Sequence, residues 1–186
     1  MGTHTYTRKF SSSRRSVLLA TLASACVPLS DAIAAVSTYP ELRLKLYNLH
    51  TEESINTVFW ANGSYVITAL NQFDYLLRDH RTGGVKEIDT RLLSILYLIN
   101  QRLGNKKYIS VISGYRSAET NRKLALRNSG VAKNSYHIKG RAIDIRINGY
   151  DSKIIRDAGV SLRVGGVGYY QKSDFVHLDT GPRRIW

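Results

Sequence analysis

The sequence predicts one small domain of the α+β class, in which strands and helices share a core. Three observations carry this prediction. The chain has 186 residues, which suits one domain and leaves little room for a second. Its composition, 43% hydrophobic and 22% charged with 3 Pro, is that of a globular chain. Its apolar residues change along the chain from alternation with period two to helical spacing, and then to a mixture of both.

The first 34 residues have the features of a targeting segment. A polar, basic start precedes Arg14-Arg15, an apolar stretch from Val17 to Leu29, and Ala32-Ile33-Ala34. This is the order of a signal peptide that ends in a small-residue cleavage site. We therefore predict a signal peptide over residues 1–34, of the twin-arginine type, and an exported, periplasmic domain over residues 35–186. The alternatives are ordinary secretory export and a buried N-terminal helix.

The apolar stretch in this segment is too short for a comfortable membrane span, so we predict no transmembrane span in the mature protein. Cys26 is the sole cysteine and also lies in the segment. Lipid attachment at Cys26 is an alternative, but Leu22 stands one place too early for a good lipid-attachment box. After cleavage behind Ala34 the domain has no thiol, which excludes disulfides, thiolate nucleophiles and thiolate metal ligands.

The chain is strongly basic, with a formal net charge of +13. The first 34 residues hold only four of its 27 basic residues and one of its 14 acidic ones, so the remainder stays basic. Nucleic acid is one partner for such a balance, but no nucleic-acid motif accompanies the charge. An exported protein meets other polyanions, including anionic wall polymers. We predict no nucleic-acid partner.

The elements of the mature domain follow in order. Two β-rich runs, Leu42 to Leu46 and Ile55 to Trp60, predict an N-terminal hairpin. Helices are predicted from about Tyr65 to Asp79 and from the N-cap Asp89 to Gly104. The rest is predicted as a strand over Tyr108–Ser113, a helix over Ser117–Arg127, a loop to Gly140, a strand over Ala142–Ile147, a short helix near Lys153–Ala158, and two β segments over Gly166–Tyr170 and Asp174–Asp179.

Two of these strands carry His and Asp side chains opposite an apolar face. Ile143, Ile145 and Ile147 alternate with Asp144 and Arg146, and Val176 and Leu178 alternate with His177 and Asp179. Gly140 allows the chain to turn between His137 and the first of these strands. Two imidazoles and one carboxylate suit zinc and leave a fourth position for water. The spacing predicts a candidate metal site at His137, Asp144 and His177, although each of these residues alone is also compatible with a structural role.

Four segments together resemble the murein endopeptidase K family: SGYRS from Ser113, SYHIKGRAID from Ser135, GGVGYY from Gly165 and FVHLDTGPRRIW from Phe175. That family is a branch of the zinc peptidases that include D-Ala-D-Ala carboxypeptidases, with lysostaphin and the hedgehog domain as distant fold relatives. The resemblance implies a small single α+β domain with a central antiparallel sheet flanked by helices. It implies that His137, Asp144 and His177 bind Zn²⁺ in a peptidase that cuts cross-links between peptidoglycan stem peptides. Diaminopimelate-diaminopimelate links are the implied substrates, with D-Ala-diaminopimelate links as further ones.

The resemblance also suggests catalytic residues. Arg116 is expected to steady a substrate carbonyl or carboxylate, with a surface salt bridge as the alternative. Asp179 or Asp174 is expected to accept the proton of the attacking water, and we favour Asp179, which projects from the same strand face as His177. Its alternative role is to orient a histidine. We predict that the protein is a monomer. The competing functions are a non-catalytic peptidoglycan-binding or scaffold protein of the same fold and an exported nucleic-acid binder.

Overall fold

A computed structural model describes residues 40–104, 106–127, 130–163 and 165–186 of the chain. The predicted signal peptide, with Arg14-Arg15 and Cys26, lies outside the described residues. No helix among the residues described is long and apolar enough to cross a membrane.

The described residues form one eight-stranded sheet and four α-helices. The strands lie in the order β3-β2-β1-β4-β5-β7-β6-β8. The strands are β1 (Glu41–Asn48), β2 (Ser54–Ala61), β3 (Ser64–Tyr65), β4 (Ile109–Ser113), β5 (Ala142–Ile147), β6 (Gly166–Tyr170), β7 (Phe175–Asp179) and β8 (Arg184–Ile185). The helices are α1 (Ile67–Leu76), α2 (Thr90–Arg102), α3 (Ala118–Arg127) and α4 (Ser152–Ser161). The predicted α+β class is confirmed.

The resemblance implied a central antiparallel sheet, whereas the observed sheet is mixed. Antiparallel pairing joins most neighbouring strands, but β1 pairs with β4 and β6 pairs with β8 in parallel. The parallel β1-β4 pair arises because α1 and α2 lie between these strands in the sequence and carry the chain back to the same end of the sheet.

The core forms on the face of the sheet that the alternating apolar residues define. Leu42, Leu44 and Leu46 of β1 are fully buried, as are Ile143 and Ile145 of β5. Side chains of α1, α2 and α4 join the same core. Burial of so many apolar side chains is the main stabilising contribution, and it leaves the other face of β5 and β7 available for polar residues.

Most predicted boundaries agree with the structure to within a few residues. The N-cap role of Asp89 is confirmed, since its side chain accepts a hydrogen bond from the backbone N–H of Arg91. The first predicted helix is shorter, ending at Leu76 instead of Asp79, because the carboxylate of Asp79 instead accepts hydrogen bonds from the backbone of Arg81 and Ser117. The sequence analysis did not predict β3, β8 or the 3-10 turn over Tyr136–Lys139.

Candidate metal centre

The register of the sheet places polar residues of three neighbouring strands in one row, next to a glycine of a fourth. Asp144 of β5 lies opposite both Ser113 of β4 and His177 of β7, and His177 lies opposite Gly168 of β6. Because side chains of a strand alternate between its two faces, the burial of Ile143, Ile145, Val176 and Leu178 in the core directs Asp144 and His177 to the opposite face. The predicted division of β5 and β7 into an apolar and a polar face is confirmed.

His137 reaches the same point from outside the sheet. It lies in the 3-10 turn Tyr136–Lys139, whose start is capped by Ser135 and whose end is Gly140 in the left-handed region, with φ of 65°. A Cβ at residue 140 would clash with the carbonyl oxygen of Glu87, so glycine is required there for two reasons. The Nδ1 atom of His137 lies 2.7 Å from the carbonyl oxygen of Gly114, which fixes Nδ1–H as the donor and turns Nε2 toward the sheet.

The three predicted residues bring one donor atom each to a common point. His137 Nε2 lies 3.2 Å from both Asp144 Oδ1 and His177 Nδ1, and His177 Nδ1 lies 2.8 Å from Asp144 Oδ1. All three residues are buried, and their candidate ligand atoms lie within 4.8 Å of one another. No other group of three or more His, Cys, Asp or Glu side chains suited to a metal occurs among the described residues.

The charges around these donors favour a cation. Burial alone would raise the pKa of Asp144, but the adjacent imidazoles of His137 and His177 outweigh it and hold that pKa well below its ordinary value. Burial lowers the pKa of His137, in the direction of the neutral ring that a metal ligand must have. An ionised carboxylate with two imidazole nitrogens is the donor set that zinc prefers in catalytic sites, and the residues present therefore fit a zinc ion.

Arg116 contacts the metal-site carboxylate directly. One guanidinium nitrogen forms an ion pair with Asp144 Oδ2, and Nε donates to Ser113 Oγ at 2.7 Å. The turn that carries Arg116 is fixed because Ser117 N–H donates to the buried carboxylate of Asp79. Arg116 also lines the cleft above the three donors. The structure thus places it on Asp144, where it orients the carboxylate, and at the edge of the space where a substrate would lie.

The two acidic residues predicted for proton transfer lie in different surroundings. Asp179 is buried, and its Oδ2 lies 3.0 Å from Nε2 of His177, the ring nitrogen opposite the candidate ligand atom. Burial would raise the pKa of Asp179, but hydrogen bonds from His177, the Gly181 N–H and Arg184 lower it to about 2. Asp174 is largely exposed and pairs with Arg146 at 3.5 Å. The geometry of Asp179 matches the alternative role, a carboxylate that orients a histidine.

An open cleft of about 1150 Å³ lies over the donors. The cleft is lined by residues of the segment from Gly130 to Tyr136 and by Tyr169, Tyr170, Lys172 and Trp186. His50 and His80 lie outside the cleft and stack on each other, with ring centroids 4.0 Å apart.

Arg184, Trp186 and Tyr136 also belong to this site and were not predicted from the sequence. Gly166 and Gly168 lie within β6, as the predicted strand has them, and give room for side chains of neighbouring strands. Gly165, which precedes β6, has a positive φ of 63°. The period-two pattern of a strand was the available sequence signal, because it places Gly166 and Gly168 on the same face of β6.

A family model and curated relatives that carry the same description match this chain. The family model described as Peptidoglycan L,D-endopeptidase MepK matches residues 36–186. The curated Peptidoglycan L,D-endopeptidase MepK of Escherichia coli (strain K12) is 44% identical over 181 residues, which cover 96% of this chain and 99% of the relative. The Probable peptidoglycan L,D-endopeptidase MepK of Haemophilus influenzae is 44% identical over 158 residues, 84% of this chain and 85% of the relative.

Proposed function

The chain belongs to the peptidoglycan L,D-endopeptidase MepK family, and on this premise we propose that it is a zinc-dependent hydrolase of the peptide cross-links between stems of bacterial peptidoglycan. The observation that carries the metal-dependent part is the convergence of His137, Asp144 and His177 on one point beneath an open cleft. Links between two diaminopimelate residues are the proposed substrates, and D-Ala-diaminopimelate links are secondary ones.

His137 Nε2, Asp144 Oδ1 and His177 Nδ1 would hold the zinc ion. When bound, zinc acts as a Lewis acid that polarises the scissile carbonyl and makes its water a nucleophile at neutral pH. The chain's own residues keep the donors in place. The Gly114 carbonyl fixes the ring of His137, Arg116 fixes the carboxylate of Asp144, and Asp179 fixes the ring of His177. The open cleft over the donors is the space from which a peptide would approach them.

A digestion of defined muropeptides tests this function. The purified domain is incubated with dimers joined by a diaminopimelate-diaminopimelate link and, separately, by a D-Ala-diaminopimelate link, and the products are read by mass spectrometry. Cleavage of the first dimer to monomeric stems with intact glycan is the expected result. A non-catalytic wall-binding protein would bind the wall and release nothing. Release of sugars alone would contradict the peptidase assignment, because glycosidases use paired carboxylates.

Substitution of each acidic candidate by asparagine separates orientation from proton transfer. If Asp179 orients His177, Asp179→Asn weakens zinc affinity about 10- to 100-fold, as expected for a partner of a metal-binding histidine. Loss of a proton acceptor would instead lower kcat and leave zinc affinity unchanged. Asp174→Asn is expected to keep activity within about threefold, because Asp174 is exposed and paired with Arg146. A large loss of kcat in Asp174→Asn would assign the proton transfer to Asp174.

We also propose that the protein is exported to the periplasm by the twin-arginine route and acts as a monomer. The basic start, the Arg14-Arg15 pair and the apolar stretch support export, and the provision of all three donors by one chain supports a monomer. Replacing Arg14 and Arg15 by lysine is expected to leave precursor in the cytoplasm, detected by fractionation and immunoblotting. Unchanged export of the double-lysine form would assign the ordinary secretory route.

A further inference from the structure

Arg184 of β8 and Trp186, the residue that follows β8, extend across β6 toward the metal centre. Gly166 of β6 lies between Arg184 of β8 and Asp179 of β7, and Gly168 of β6 lies opposite His177. Neither glycine has a side chain to obstruct the crossing. A Cβ at residue 166 would lie 2.5 Å from Asp179 Oδ2 and 2.8 Å from Arg184 Nη1, and one at residue 168 would lie 2.6 Å from the indole of Trp186. The absence of a side chain at both positions is therefore what lets β8 reach β7.

Arg184 binds both oxygens of the buried Asp179. Its Nη2 donates to Oδ2 at 2.6 Å and its Nη1 to Oδ1 at 3.1 Å. The same Oδ1 accepts the backbone N–H groups of Gly166 and Gly181, and Oδ2 faces Nε2 of His177. A bidentate pair fixes the plane of a carboxylate. Arg184 thus determines which carboxylate oxygen points at the ring of His177.

Two aromatic rings hold the guanidinium in turn. The central carbon of the Arg184 guanidinium lies 5.0 Å from the ring centre of Tyr136 and 4.9 Å from that of Trp186, within the range of a cation–π contact. The Trp186 ring also lies 5.3 Å from the ring of His177, and its Nε1 donates to the hydroxyl of Tyr170. Glycine at 181 makes room for Tyr136, because a Cβ there would lie 2.5 Å from the phenol ring.

We propose that Arg184, held between Tyr136 and Trp186, is a positioning residue that sets the orientation of His177 through Asp179 and thereby the affinity of the metal centre. The inference rests on the proposed function, because it presupposes that His177 is a metal ligand. A bidentate Arg–carboxylate pair on a buried oxygen pair restrains the imidazole more strongly than a single hydrogen bond would. Arg184 lines the cleft, but its hydrogen bonds near the metal centre go to Asp179 and to none of the three donor atoms, so its influence on His177 passes through Asp179.

The test measures zinc affinity by competition with a chelator, and the visible spectrum of the Co²⁺-substituted protein. Arg184→Gln is expected to weaken zinc binding about 10-fold, in line with other partners of metal-binding histidines, and to shift the Co²⁺ bands, since these report ligand geometry. Arg184→Lys keeps the charge and loses the fork, so it is expected to fall between Arg184→Gln and the parent. Arg183→Gln is the matched control, because Arg183 is the exposed neighbour in sequence and is expected to bind zinc as the parent does.

A double-mutant cycle isolates the route through Asp179. In an Asp179→Asn background, Arg184→Gln is expected to change zinc affinity less than twofold, because the carboxylate through which Arg184 acts is gone. Thermal unfolding of the metal-free proteins checks that each variant folds. If Arg184→Gln weakens zinc binding equally in the parent and in the Asp179→Asn background, the inference is overturned. Parental zinc affinity and Co²⁺ bands in Arg184→Gln would overturn it as well. Either result leaves the proposed function intact. A folded parent protein that binds no divalent metal would overturn both.

Discussion

Replacing His137 or His177 by alanine is expected to remove bound zinc and to lower kcat/KM on cross-linked dimers at least ~10³-fold, about 4 kcal/mol of transition-state stabilisation. Each histidine supplies one of three donor atoms that lie within 4.8 Å of one another, and two remaining donors hold the ion too weakly to saturate the site. Metal content is measured by mass spectrometry of the purified protein. Activity is measured as release of monomeric stems.

His50→Ala is the matched control for the two histidine substitutions. His50 stacks on His80 outside the cleft, so this variant is expected to keep both its zinc and its activity. Unfolding midpoints separate loss of metal from loss of fold, since metal-free parent protein is the proper reference for the two variants. A His137→Ala protein that is folded, free of zinc and fully active would contradict the assignment of the site.

Replacing Arg116 by lysine is expected to lower kcat/KM at least ~10-fold, about 1.4 kcal/mol. The guanidinium of Arg116 binds Asp144 and Ser113 at once and lies at the edge of the cleft. Lysine keeps the positive charge but has no planar fork with which to hold two partners. The carboxylate of Asp144 is then less well oriented, and a substrate group beside it loses its contact.

The two consequences of Arg116→Lys have different signatures. Weaker zinc binding with unchanged kinetics at saturating zinc would indicate that Arg116 serves Asp144 alone. Unchanged zinc binding with a lower kcat would indicate contact with the substrate in the transition state. Arg122→Lys, at an exposed position of α3, is the control and is expected to match the parent. Parental zinc affinity and kinetics in Arg116→Lys would show that the residue has neither role.

Two of the three candidate metal donors could be placed together from the sequence because period-two alternation fixes the faces of β5 and β7. Once Ile143, Ile145, Val176 and Leu178 are assigned to the core, Asp144 and His177 must share the other face. Gly140 suggested that His137 turns toward the same face, the motif resemblance implied that all three residues bind zinc, and the family it indicated is confirmed by the comparisons. The predicted peptidoglycan endopeptidase activity is supported by the same membership of the chain in this family.

The sequence could not show contacts between strands that are distant along the chain. The pairing of β6 with β8 is set by the tertiary fold and involves only two residues of β8, too few for any period to be recognised. The contact of Arg116 with Asp144 spans 28 residues, and the pairing of β4 with β5 that places Asp144 opposite Ser113 includes a register shift. For the same reason the sequence, which favoured Asp179 over Asp174 by its strand face, could not show that Asp179 is buried against His177.

On the function proposed above, hydrolysis depends on one metal ion held by His137, Asp144 and His177. The most direct test is to strip the purified domain with a chelator, remove the chelator, and titrate zinc back while following cleavage of a defined cross-linked dimer. Activity is expected to be absent without metal, to rise in proportion to added zinc and to level off at about one zinc per chain. Full cleavage of the dimer by verified metal-free protein would contradict the account.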